Sequence, residues 1–167
     1  MPRSLRALAY CGVLLVALVA VAEAQASLRV EASTGPARTY TRAALEAMSS
    51  DTMRAAGPHT TSATYRVVPL QRLLAESGLV LDSIRGRDLG QVVIAEARDG
   101  YQVVFSLGEL APSLGARTVF VAFRRDGIPI PAEDGPFRLV VPDDMRGSRS
   151  IRQLERLRVV TVAPRAP

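Results

Sequence analysis

The chain has 167 residues, with 21 basic and 16 acidic side chains and a net charge of +5, so with a leader subtracted it has room for one domain and not for two. Every basic residue other than the single histidine is arginine, and the only cysteine is Cys11, which leaves the rest of the chain without disulfides, thiolate metal ligands or a thiol nucleophile. Val, Leu, Ile and Ala are plentiful enough for a packed core, which argues against disorder outside the two ends.

Arg3 and Arg6 precede a mostly apolar run from Ala7 to Val21, the layout of a secretory signal. The run is short for a membrane span, which needs about 20 residues. Two small-x-small patterns follow, Ala22-Glu23-Ala24 and Ala24-Gln25-Ala26, so cleavage is expected to leave a mature chain starting near Gln25 or Ser27. Cys11 follows Tyr10 and has most of the apolar run after it, which does not suit lipidation. The expected organisation is a signal peptide over residues 1–26, one domain over 27–162 and a flexible tail over 163–167. The protein is expected to be periplasmic or secreted, with no membrane span after cleavage.

After the leader, Leu28 to Ala32 reads as a short edge strand, and Thr41 caps a helix running through Ala43 to Met48. Ser49 to Thr61 is polar and contains Gly57-Pro58 and His59, so a loop is expected there, followed by a strand near Ala63 to Val68. Pro69 suits a first helical position, Leu70, Leu73 and Leu74 share one face, and Gly78 is placed to end that helix. Gln91 to Ala97, the turn Asp99-Gly100, and Tyr101 to Phe105 form a strong hairpin signal. Ser106-Leu107-Gly108-Glu109 has capping-box spacing ahead of a short helical turn. Thr118 to Phe123 is a strand with a turn at Asp126-Gly127, and Phe137 to Val141 is another. A polar loop from Asp143 to Ser150 then leads to a last strand around Leu157 to Val162. Short strands, many turns and few brief helices predict an α+β fold, a single mixed domain.

Most signatures of catalysis are missing. There is no phosphate-binding Gly-rich loop, no zinc spacing and no Gly-x-Ser-x-Gly elbow, and a lone loop histidine such as His59 is more often solvated than catalytic. Asp143-Asp144 and Glu133-Asp134 are adjacent acids that usually serve as solvated or capping residues. Arg138, Arg146, Arg149, Arg152, Arg156 and Arg158 cluster around a Gly-containing loop, where guanidinium forks and backbone N–H groups suit an anionic group such as a phosphate; the structural alternative is a solvated basic face. Nucleic acid is a poor fit, because the stretch lacks interleaved aromatic residues for base stacking.

These residues carry a family resemblance. Arg66-Val67-Val68-Pro69-Leu70-Gln71-Arg72-Leu73-Leu74, Ala97-Arg98-Asp99-Gly100-Tyr101, Val121-Ala122-Phe123 with Asp126-Gly127 and Pro129-Ile130, and Gly135-Pro136-Phe137-Arg138-Leu139-Val140-Val141-Pro142 resemble, in order, the signatures of the molybdopterin-binding domain of the sulfite oxidase family. Gly147-Ser148-Arg149-Ser150-Ile151-Arg152-Gln153-Leu154 is similar to that family's glycine and paired-basic segment, with Arg where Lys is common and Gln153 where Trp is common. The resemblance spans about Leu28 to Val162 and implies an α+β fold, with molybdopterin as the candidate cofactor. It implies Arg138, Ser148, Arg149, Ser150 and Arg152 as residues for a pterin or other anionic small molecule, with His59 added from the loop that holds the family's metal-facing residues. For Arg138 the structural alternative is an ion pair with Asp143 or Asp144.

The family's catalytic cysteine falls between Met48 and Tyr65, and this chain has no thiol there. Ser and Thr do not replace a soft thiolate on molybdenum, so sulfite oxidation does not carry over. Three readings follow: a binding module that takes a pterin or other anion without redox catalysis, an interaction module for a membrane-bound or redox protein partner, and an oxidoreductase whose metal has a non-cysteine ligand.

Overall fold

The computed structural model describes residues 26–33, 35–48, 51–57 and 60–162, so the leader, the tail and His59 lie outside the described residues. The fold is α+β, with two sheets and three short α-helices among the described residues.

Strand β1 (Ser27–Glu31) is followed by β2 (Arg38–Thr41) and α1 (Arg42–Ala47), whose start is fixed by the Thr41 side chain accepting from the Ala44 N–H at 3.2 Å. The chain then makes the hairpin β3 (Asp51–Gly57) and β4 (Thr60–Pro69), turns into α2 (Leu70–Glu76), and passes through two 3-10 turns to β5 (Gln91–Ala97). β6 (Gln102–Ser106) leads directly into α3 (Leu107–Leu110), followed by β7 (Phe120–Arg125), β8 (Ile128–Pro129) and β9 (Arg138–Val140). A 3-10 turn over Gly147–Arg149 precedes β10 (Leu154–Thr161).

The first sheet has the order β2-β1-β10-β5-β6, and the second the order β3-β4-β7-β8, with β9 also on β7. β1 is not an edge strand: it lies between β2 and a parallel β10, so the two ends of the domain close one sheet. Its short apolar alternation matches an edge strand equally well, because pairing across more than a hundred residues leaves no local trace. The segment from Ser49 to Thr61 is likewise not a loop over most of its length. Asp51 to Gly57 pairs antiparallel with β4, the register running from Asp51 opposite Val67 to Gly57 opposite Thr60. A strand that carries Asp, two Ala and Gly has little β-propensity of its own, and the neighbouring β4 supplies its hydrogen bonds.

The main core lies between the sheets. β1 contributes Leu28 and Val30, β5 Val93 and Ala95, β10 Leu157 and Val159, and the second sheet Val68, Val121, Phe123 and Leu139. The buried leucines of the three helices, Leu45, Leu70, Leu73, Leu74, Leu107 and Leu110, insert into the same core. Alternation on β7 sends Ala122 the other way, where it joins Tyr65, Val67, Ile130 and Val140 in a smaller cluster on the far face of the second sheet.

Candidate ligand-binding site

The β5–β6 turn and the segment between β9 and β10 build the site. Asp99-Gly100 makes the turn expected of it. Gly100 sits at φ +85°, where a Cβ is disfavoured, and the Asp99 carboxylate accepts from the Tyr101 N–H at 3.0 Å. The Tyr101 hydroxyl then donates to the Ser148 carbonyl at 3.1 Å, tying the hairpin to the Gly147–Arg149 turn. That turn is closed by the Ser150 N–H on the Gly147 carbonyl at 3.0 Å, and the Ser150 hydroxyl oxygen accepts from the Val141 N–H at 3.0 Å. On the far side, Gln153 is held by its N–H on the Asp134 carbonyl at 2.9 Å and by its side-chain amide on the Ala132 carbonyl at 3.0 Å.

Between these walls lies an open cavity of about 280 Å³. Ser148, Ser150 and Arg152, all expected from the sequence, line it together with Asp99, Tyr101 and Glu133. None of the last three was among the site residues expected from the sequence. Asp99 and Tyr101 stood there as a hairpin turn and part of a family signature, and Glu133 as one of two adjacent acids in a solvated or capping role.

Arg149 and Arg138 are not among the lining residues. The Arg149 Nε and Nη2 donate to both oxygens of Asp144, at 2.8 and 2.7 Å, and its Nη1 donates to Glu109 Oε1 at 3.0 Å, while the guanidinium lies 4.8 Å from the centre of the Phe105 ring. Arg117 donates to Asp144 at 2.9 Å and stands 3.6 Å from Glu109, so two guanidinium groups and two carboxylates form a closed ring of alternating charge. Glu109 is already fixed by the capping box: its other oxygen accepts from the Ser106 N–H at 3.2 Å, and the Ser106 hydroxyl accepts from the Glu109 N–H at 3.0 Å. The hydrogen bond from Arg149 holds the Asp144 carboxyl below the usual carboxylate range, against the opposing effect of burial. Asp144 in turn holds Arg149 protonated more firmly than a free guanidinium.

Arg138 is buried beside Tyr65, 5.9 Å from its ring centre, with Asp134 at 3.6 Å. The expected pairing with Asp143 or Asp144 is therefore not formed; Asp144 is taken by Arg149 and Arg117. Asp134 also faces Arg125 at 3.2 Å and Arg152 at 3.7 Å. No described residue from 51 to 65 lines the cavity.

The donor set tests the implied metal cofactor. The chain has no thiol after Cys11, and among the described residues no group of three or more His, Cys, Asp or Glu side chains could hold a metal ion. A cavity of about 280 Å³ sits at the lower end of small-molecule sites, which run from roughly 300 to 1,000 Å³. These residues suit a small polar ligand and do not fit a molybdenum centre ligated by a protein thiolate.

Two closely associated sheets with brief helices, and a polar cavity where the last crossover meets the β5–β6 turn, define a small α+β domain with a ligand-sized hollow. The family model of the oxidoreductase molybdopterin binding domain matches residues 17–166, and the chain belongs to that family, the sulfite oxidase family. Among solved structures the chain is similar to the sulfane dehydrogenase SoxCD from Paracoccus pantotrophus, at 20% identity and a TM-score of 0.64, over 86% of this chain and 40% of that one. The chain thus spans well under half the length of that protein, and the likeness concerns the fold. No curated protein matches the sequence.

Proposed function

We propose that this protein is an exported binding module that uses the molybdopterin-binding fold to hold a small ligand bearing an anionic group, such as a pterin derivative, without redox catalysis of its own. One observation carries the reading: Ser148, Ser150 and Arg152, the hydroxyls and guanidinium that the family's basic segment contributes, line a single cavity. Ser150 takes the Val141 N–H on its oxygen and keeps its own proton to donate, and Arg152 is 58% exposed at the rim. Export rests on the leader pattern of Arg3, Arg6 and the apolar run to Val21.

The test is native mass spectrometry of protein isolated from the periplasm of a molybdenum-replete host, together with calorimetric titration of a pterin monophosphate. A retained small molecule, or saturable binding lost in Arg152→Gln, is expected. Protein free of any ligand that also binds no probe refutes the reading.

A second reading is an interaction module for a redox or membrane-bound partner. It draws on Met145, fully exposed in the segment after β9, and on Tyr101, half-exposed at the cavity. Co-purification that survives Arg152→Gln but not Met145→Asp favours it over the first.

A further inference from the structure

The charges around the cavity do not match a purely anionic ligand. Asp99 and Glu133 bring two carboxylates to its lining, against the single guanidinium of Arg152. That guanidinium is itself shared with Asp134 at 3.7 Å, and the neighbouring Arg149, which would tip the balance, is turned into the ring with Asp144 and Glu109. Asp99 uses one oxygen on the Tyr101 N–H and keeps the other, and Glu133 forms no ion pair or hydrogen bond among the described residues. A phosphate entering this hollow meets two like charges for every opposite one. An ammonium group alone leaves the Ser150 O–H without an acceptor and Arg152 with only its long contact to Asp134. The lining is satisfied by a ligand that carries both signs.

We propose that the cavity takes a small zwitterion of the amino-acid type, with its cationic nitrogen toward Asp99 and Glu133 and its carboxylate toward Arg152 and the Ser148 and Ser150 hydroxyls. The proposal rests on the binding-module reading of the same cavity and names its ligand class. A volume of about 280 Å³ accommodates a molecule of that size, and the cavity is open to solvent. The ring of Arg149, Asp144, Arg117 and Glu109 contributes by removing one positive charge from the lining and by holding the Gly147–Ser150 wall in place.

The experiment titrates the mature protein with the free α-amino acids in turn, with inorganic phosphate and with a pterin monophosphate, by calorimetry and by thermal shift, in wild type, Asp99→Asn/Glu133→Gln and Arg152→Gln. All three positions are exposed, and melting temperatures confirm that the variants fold. At least one amino acid is expected to bind more tightly than phosphate. Each variant is expected to weaken that binding by about tenfold or more, through the loss of one charged partner in Arg152→Gln and of two in the double variant. The Asp99→Asn/Glu133→Gln variant is expected to bind phosphate more tightly than wild type does. Wild-type protein that binds phosphate or a pterin monophosphate more tightly than every amino acid overturns the zwitterion proposal and leaves the cavity reading standing. Protein that binds none of these probes overturns both.

Discussion

Replacing Arg149 by alanine removes three charge-assisted hydrogen bonds, two to Asp144 and one to Glu109, and the guanidinium face over Phe105. Asp144, 13% exposed in the intact ring, is left with Arg117 as its remaining partner, so its charge is poorly compensated. Hydrogen bonds to charged groups contribute about 1.5–3 kcal/mol each. Arg149 is itself 29% exposed, so solvent screens part of this, and the expected net loss is about 3 kcal/mol. For a domain of this size that is a fall in melting temperature of about 10 °C. Urea denaturation of Arg149→Ala, Asp144→Ala and the double variant measures it, with a coupling energy above about 1 kcal/mol expected for a pair in direct contact. Arg149→Lys should recover less than half, because an ammonium cannot reach both Asp144 oxygens and Glu109 at once. A loss below about 0.5 kcal/mol for Arg149→Ala would refute the claim that this ring fixes the segment, since that is the range of ordinary surface substitutions.

The same ring sets an acid dependence. The Asp144 carboxyl is held below its ordinary value of 3.8, so its contribution to stability is present above that value and is lost as the pH falls through the lowered one. Stability of the wild type should therefore decline at the acid end, and Asp144→Asn, less stable at neutral pH, should show a shallower acid limb; parallel limbs in denaturation midpoints against pH would contradict this. Gly115→Ala places a methyl group 2.6 Å from the Cα and carbonyl oxygen of Glu109, in backbone that cannot yield cheaply, and a loss of about 2–3 kcal/mol is expected in urea midpoints. The opposite control is Arg152→Gln. Its side chain is 58% exposed and its one ion pair is long, so stability should change by less than about 0.5 kcal/mol while ligand binding weakens by about tenfold or more.

What could be read from the chain depended on how local each signal was. The Asp99-Gly100 hairpin, the Thr41 cap, the Ser106–Glu109 capping box and the Leu70, Leu73, Leu74 face are written within a few residues, and all were legible. The parallel pairing of β1 with β10 and the strand character of Asp51 to Gly57 depend on partners far along the chain or on a neighbour's hydrogen bonds, and neither was. The same distinction divides the site. Ser148, Ser150 and Arg152 came from one continuous motif, whereas Glu133 reaches the cavity only because Gln153 ties the loop at Ala132 and Asp134 to the start of β10.

Arg149 and Arg152 are separated by the turn between them. Arg149 is the last residue of the 3-10 turn Gly147–Arg149, and beyond Ser150, at φ −84° and ψ 74°, the chain bends again through Arg152 and Gln153 before β10. Ser148, Ser150 and Arg152 fall on one side and line the cavity. Ile151 borders the cavity too while being buried in the main core, and Arg149 turns away from it to meet Asp144 and Glu109 above Phe105. Two arginines three positions apart in one basic motif therefore have opposite duties, one anchoring the wall and one lining the cavity. Charge removal at the two positions therefore separates cleanly: Arg149→Ala lowers stability and weakens binding only as far as the wall loosens, while Arg152→Gln weakens binding by about tenfold or more in a protein of unchanged melting temperature. Equal stability losses at both positions, with binding affected alike, would mean that the turn does not divide these two side chains in this way.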